Sequence, residues 1–141
     1  MKTIYTASVT SVGGRTGHVE SSDGALKLDL TFPSPDGRPA KLTNPEQLFA
    51  AGYAACFSSA MDHIARKRKL ETGPITIVNQ VTLLTDGADL FQLAVDMDVT
   101  VPNLDQAGAE ELVAGGHQVC PYSNATRGNV EVKLTAHGGN N

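Results

Sequence analysis

The 141-residue chain has no tryptophan, two cysteines and only 5% aromatic residues. Two cysteines are too few for the disulfide framework of a small secreted domain, and the length suffices to bury a core without one. Basic residues are also scarce, 11 Lys and Arg against 15 Asp and Glu, for a net charge of −4. That balance argues against nucleic acid and anionic membrane surfaces as partners. No apolar run approaches the roughly 20 residues of a bilayer-spanning helix. The first residues, Met1 to Ser8, alternate like a strand and carry no apolar signal core. Internal repeats, low-complexity tracts and long linkers are missing, as are a Walker loop, a GxGxxG turn and a GxSxG elbow. His117-x-x-Cys120 has metal-ligand spacing, but there is no CxxC and no second clustered histidine, which disfavours zinc. The expectation is one domain over residues 1–141, cytoplasmic, where a cysteine pair is more often catalytic, redox-sensing or metal-binding than structural.

What is present reads as strands, a long helix, a hairpin, a helix and a strand. Lys2 to Thr10 has strand character, and Gly13 to Gly17 a turn. Leu26, Leu28, Leu30 and Phe32 alternate with polar residues, predicting a strand with one buried face. Pro33 to Pro39 is a loop by its proline and glycine content. Thr43 or Asn44 can cap a helix that takes Pro45 at its first position and Glu46 near its positive end. That helix is apolar nearly all round from Leu48 to Met61, predicting burial on every face, and Arg66 to Lys69 closes it with cations. Ile75 to Leu84 and Leu90 to Val101 form a hairpin about Asp86-Gly87, with Leu93, Val95, Met97 and Val99 inward. Asp105 to Val119 is a second helix, and Val130, Val132 and Leu134 mark a last strand. Segregated runs of this kind indicate an α+β fold.

Each cysteine has an unusual setting. Cys56 sits in the apolar helix among Ala54, Ala55, Ser58, Ser59 and Ala60, whose small size leaves room for another element or a ligand. Desolvation alone makes such a thiol inert, so a reactive one needs a nearby cation. Arg15, between glycines in the turn, can supply a permanent charge and a forked donor set, and Glu46 can hold it by a bidentate pair. Cys56 lies ten residues beyond Glu46, a rise of about 15 Å along a helix. A Glu46–Arg15 pair therefore meets Cys56 more easily on a second, antiparallel copy of the helix, which suggests a site shared across a homodimer. Cys120 precedes Pro121, where a helix must end, and is the candidate resolving thiol for a sulfenic acid. The plainer readings stand beside these: packing cysteines, a solvated turn arginine, and a first-turn acid that helps the helix start.

Two stretches, Asn44-Pro-Glu-Gln-Leu-Phe-Ala-Ala-Gly-Tyr-Ala-Ala-Cys-Phe57 and His117-Gln-Val-Cys-Pro-Tyr-Ser-Asn-Ala-Thr-Arg-Gly-Asn129, resemble the two signatures of the organic hydroperoxide resistance (Ohr) proteins, and Gly13-Gly-Arg15 matches a third. The likeness covers essentially the whole chain. The second stretch favours this group over its osmotically inducible protein C (OsmC) relatives.

The resemblance implies an OsmC/Ohr-like α+β fold, with antiparallel sheets wrapped around two central helices in an intertwined homodimer. It implies a thiol peroxidase for organic and fatty-acid hydroperoxides, active in oxidative stress defence, with no metal or organic cofactor. Carried over, Cys56 is the peroxidatic and Cys120 the resolving cysteine, Arg15 lowers the Cys56 pKa and polarises the peroxide, and Glu46 orients Arg15. The disulfide would be reduced by a lipoylated protein or dihydrolipoamide. Phe49, Tyr53 and Phe57 are candidates to line an alkyl pocket, or equally to be core. Two rival readings are a redox sensor and a lipid-carrying module whose cysteines only pack.

Overall fold

Helix α1, Pro45–Arg68, is the longest element. The Asn44 side chain accepts the Gln47 amide at 2.9 Å, so Asn44 is the cap, and Pro45 loses no bond where no intrahelical donor is needed. The helix stops at Lys69, whose φ of 56° is left-handed. Its buried residues, Tyr53, Phe57, Ala60, Met61, Ile64 and Ala65, recur at helical spacing along one stripe. The expectation of burial on every face is therefore corrected: Ala51, Ala55 and Ser59, at i, i+4 and i+8, are exposed.

The computed structural model describes residues 1–139, which fall into two units, Met1–Leu48 and the residues from Phe49 onward. In the first, strands β1 (Val9–Val12), β2 (His18–Ser21) and β3 (Lys27–Asp29) form an antiparallel sheet in that order. Gly13 and Gly14, at φ 82° and 60°, make the tight turn between β1 and β2. A side chain on Gly17 would strike the Val12 carbonyl oxygen at 1.8 Å, so the turn that carries Arg15 closes only on glycine. The strand expected over Lys2–Thr10 is reduced to Val9–Val12; residues 1–7 pair with no strand among the described residues, the Ser8 carbonyl accepts only the Ser22 amide, and Ile4 and Tyr5 stand exposed. The alternating segment also differs from expectation. Leu30 is buried, but Leu28 and Phe32 are exposed, and pairing beyond β3 shrinks to a bridge between Leu30 and Thr43.

In the second unit β4 (Thr76–Thr85) and β5 (Phe91–Val101) form the expected antiparallel hairpin. Asp86 accepts the amides of Ala88 and Leu90, and Gly87 takes φ 83°. Helix α2 (Gln106–Val119) is capped by Asp105, which accepts the Gly108 amide at 2.7 Å. A short helix, α3 (Pro121–Thr126), follows the helix end expected at Pro121, because Pro121 suits a helix's first position as well as it ends the one before. Strand β6 (Glu131–Gly138) then pairs with β5 in parallel, so among the described strands the expected antiparallel pairing holds for β1–β2, β2–β3 and β4–β5 but not here. A parallel return needs a crossover, and α2 and α3 are that crossover. The core gathers Tyr53, Phe57 and Met61 of α1, Val95, Met97, Val99 and Val101 of β5, Leu112 and Val113 of α2, and Cys120. Each large side chain fully buried there contributes about 1.5–3 kcal/mol. No helix among the described residues is long and apolar enough to cross a membrane.

Candidate active site

Four chemistry-bearing side chains form two pairs, one in each unit. In the first, Arg15 donates to Glu46 through both terminal nitrogens, Nη1 to Oε2 at 2.7 Å and Nη2 to Oε1 at 2.5 Å. The glycine turn aims the arginine, and the first turn of α1 presents the carboxylate. The hydrogen bond from Arg15 is the main cause holding the Glu46 carboxyl below its ordinary value, while burial opposes it. Glu46 in turn raises the Arg15 guanidinium, mainly through the same bond. The arginine is a fixed, permanently charged fork, a third of it still open to solvent.

In the second unit Cys120 Sγ lies 3.7 Å from Cys56 Sγ, and both are free thiols. Cys56 is half-buried on α1, whereas Cys120 is wholly buried where α2 ends and α3 begins. The junction is pinned rather than loose: the Cys120 amide donates to the Gly116 carbonyl, and its carbonyl accepts the Asn124 amide. Burial pushes the Cys56 thiol up; the Tyr122 amide, hydrogen-bonded to the sulfur, pulls it down, and the Cys120 thiol pushes it up again. No cation of this unit is among those influences in the described residues.

Behind the sulfurs lies a network that sequence reasoning missed. The Tyr53 hydroxyl meets Ser123 Oγ at 2.9 Å and Thr126 Oγ1 at 3.2 Å, and Ser123 Oγ meets His117 Nδ1 at 2.9 Å. Burial is the first cause, and the charge of Arg127 the second, that lowers the His117 pKa. Neutral His117 can thus accept from Ser123. Arg127 also donates to the His117 carbonyl, tying the two ends of α3 to α2. The spacing signal was there, since Tyr53 precedes Cys56 by one helical turn and Ser123 follows Cys120 by three residues. His117 is therefore spent on a hydroxyl; no group of metal-ligating residues forms among the described residues.

Of the three candidate pocket residues, Tyr53 and Phe57 are fully buried core and Phe49 packs half-buried against it, edge-on to Tyr53 at 6.0 Å. Tyr122, by contrast, is 41% exposed beside Cys56. A half-exposed thiol backed by a buried thiol at contact distance can be oxidised from outside and resolved from within.

Comparison with known proteins identifies the family. The model of the OsmC-like protein family matches residues 38–135. The organic hydroperoxide resistance protein OhrB of Bacillus subtilis is 48% identical over 93% of this chain and 96% of its own. The organic hydroperoxide resistance protein of Xanthomonas axonopodis pv. citri is 47% identical over 95% of each. The crystal structure of B. subtilis OhrB superposes with a TM-score of 0.85 at 46% identity, covering 96% of this chain and 99% of that one. The chain belongs to the OsmC-like family and, within it, to the organic hydroperoxide resistance proteins.

Proposed function

We propose that this protein is a cysteine peroxidase that reduces organic hydroperoxides, alkyl and fatty-acid, to alcohols. The observation that carries the reading is the Cys56–Cys120 pair, two free thiols 3.7 Å apart of which only Cys56 has access to solvent. The Cys56 thiolate attacks the outer peroxide oxygen, the O–O bond breaks, and the alkoxide takes a proton and leaves as alcohol. Cys56 is then a sulfenic acid. Cys120 attacks its sulfur, water leaves, and the sulfurs close to a disulfide bond length of about 2.05 Å. A dithiol, a dihydrolipoyl group on a protein or free dihydrolipoamide, reopens the bond by exchange and becomes the cyclic disulfide.

Burial holds the Cys56 thiol high, so turnover near neutrality needs a cation. Arg15, locked by Glu46, supplies it and polarises the peroxide. Glu46 lies near the start of α1 and Cys56 ten residues on, about 15 Å along the axis. We place the Arg15–Glu46 pair of one protomer against Cys56 of its partner in a homodimer. The exposed Ala51–Ala55–Ser59 stripe supports this, since small side chains allow a second helix to approach. Phe49 and Tyr122 would face the alkyl chain. No metal or organic cofactor is needed, and the enzyme would act in the cytoplasm, where its thiols are kept reduced.

The deciding experiment follows peroxide consumption by the reduced protein with dihydrolipoamide, comparing cumene hydroperoxide with hydrogen peroxide and using Cys56→Ser as control. Fast, Cys56-dependent turnover favouring the organic peroxide is expected. Equal turnover by Cys56→Ser would refute the reading and turn attention to a pocket whose cysteines only pack.

A further inference from the structure

Gly52 stands one helical turn before Cys56, on the same face of α1. A Cβ placed there would lie 3.3 Å from Tyr122 Oη, 3.4 Å from Cε2 and 3.7 Å from Cζ. The phenol end of Tyr122 is thus laid directly on the glycine. Its ring also leans on the Tyr53 ring, with centroids 5.8 Å apart and planes 44° apart. The backbone of the same residue is among the influences on the Cys56 thiol, whose pKa it lowers. The Tyr122 ring therefore lies on α1 at Gly52, one helical turn before Cys56. Glycine inside a helix is unfavourable by about 1 kcal/mol relative to alanine. A mid-helix glycine at this spot is therefore informative, because on propensity alone alanine would serve better.

We propose that Gly52 is a positioning residue of the site: its missing side chain leaves a notch on α1 that seats the Tyr122 ring, and the seated ring holds the Tyr122 amide on the Cys56 sulfur. The ring then forms a wall beside the thiol along which an apolar substrate group lies. This deepens the peroxidase reading and rests on it for the effect on turnover, but the seat stands on geometry alone. Three other contacts hold the α3 turn near its place: Ser123 and Thr126 on Tyr53, and Arg127 on the His117 carbonyl. Losing the seat should tilt the first turn of α3 without unfolding it. The titratable and charged groups about Cys56 are the Cys120 thiol, the Tyr122 phenol laid on Gly52, His117 against Phe57 at a centroid distance of 6.4 Å, and the Arg15–Glu46 pair that the proposed dimer brings from the other protomer.

The test is a double-substitution cycle on the full-length reduced protein. Gly52→Ala, Gly52→Val, Tyr122→Ala and the pair Gly52→Val with Tyr122→Ala are compared. The first readout is the pH dependence of Cys56 alkylation by iodoacetamide, assigned by peptide mass. The second is kcat and KM for cumene hydroperoxide and for hydrogen peroxide. Gly52→Val should move the alkylation midpoint up by about one unit, since a hydrogen bond to a charged group is at stake. Gly52→Ala, which asks the phenol to yield only a few tenths of an ångström, should move it less. Tyr122→Ala keeps its amide but loses the ring that seats it, so it should match Gly52→Val, and the pair should be no worse than either alone. KM should rise for cumene hydroperoxide more than for hydrogen peroxide. Additive effects in the pair, or an unchanged alkylation profile in Gly52→Val, would overturn the proposal. If the valine variant does not fold, Gly52→Ala with and without Tyr122→Ala makes the same comparison. Wild-type protein inactive toward peroxide yet showing this thiol coupling would refute the peroxidase reading and leave the seat standing.

Discussion

Cys120 places its sulfur 3.7 Å from that of Cys56, though 64 residues separate the two, and it does so from a wholly buried position. The asymmetry in access divides the labour of the proposed cycle. Cys120→Ser should consume one equivalent of cumene hydroperoxide per chain in a fast phase and then show no dithiol-driven turnover, only the slower uptake of a second equivalent. With no resolving thiol, excess peroxide should carry Cys56 to sulfinic acid, a gain of two oxygens in the Cys56 peptide. Cys56→Ser should consume none. Normal dithiol-driven turnover by Cys120→Ser would remove its resolving role.

Arg15 and Glu46 act as a unit, so single substitutions should be similar and not additive. Arg15→Ala should raise the pH midpoint of Cys56 alkylation and lower kcat/KM by at least about tenfold, the worth of one charged hydrogen bond. Arg15→Lys should rescue little, because an ammonium cannot reproduce the fork. Glu46→Gln should follow Arg15→Ala in direction. The bond from Arg15 holds the Glu46 carboxyl below its ordinary value, so the pair's contribution is present above the unfolded carboxylate pKa and lost as pH falls through the lower folded one. A mixed dimer of Cys56→Ser and Arg15→Ala chains should recover one intact site; no recovery would rule out the shared site.

His117 gives a second pH dependence. Its folded pKa is depressed, first by burial, so the stability it permits is whole above the unfolded value of about 6.5 and falls as pH drops through the folded one. Urea midpoints measured between pH 7.5 and 4.5 should decline in the wild type, and less steeply in His117→Gln. Parallel slopes would place the acid sensitivity elsewhere.

Tyr53→Phe removes a hydroxyl shared by two buried partners, yet Ser123 retains His117 and Thr126 retains the Ser123 carbonyl. The loss of stability should be near the low end for a buried hydrogen bond, about 1 kcal/mol by urea unfolding. A larger fall in the rate of disulfide formation than in the rate of sulfenic acid formation, followed by stopped flow, would tie the network to the placement of Cys120.

Gly116→Ala tests the packing of α2 on α1. The added carbon would fall 2.5 Å from Met61 Cγ and 3.5 Å from the Phe57 ring. Overpacking should outweigh the gain in helix propensity, for a net loss of about 1–3 kcal/mol in urea unfolding.

Much of this was legible because it is local. Pro45, Glu46 and the basic run Arg66 to Arg68 announced α1, and Asp86-Gly87 announced the hairpin. The inward face of β5 followed from alternation, with Val95, Met97 and Val99 buried as read. What escaped depends on partners far away in sequence. Nothing in Val130 to Leu134 says whether β6 runs with or against β5. Lys2 to Ser8 has strand character with no strand to pair with among the described residues, and Ala51, Ala55 and Ser59 are small side chains that stand exposed. The cysteines stood out by rarity. Tyr122 and Gly52 did not, because a tyrosine and a glycine are ordinary until a ring is seen lying on a bare helix turn.

The parallel return of β6 beside β5 has one more consequence. Cys120 lies within a span moored at Val101 and at Glu131, so its sulfur works at short range, like a pier rather than a swinging arm. A thiol held this way competes with dissolved thiols as if it were present at a concentration far above their millimolar levels in a cell. In the proposed cycle, the sulfenic acid would be sealed into a disulfide before any passing small thiol could cap it. The protein would then hand its oxidising equivalents only to a reductant able to reach the finished bond.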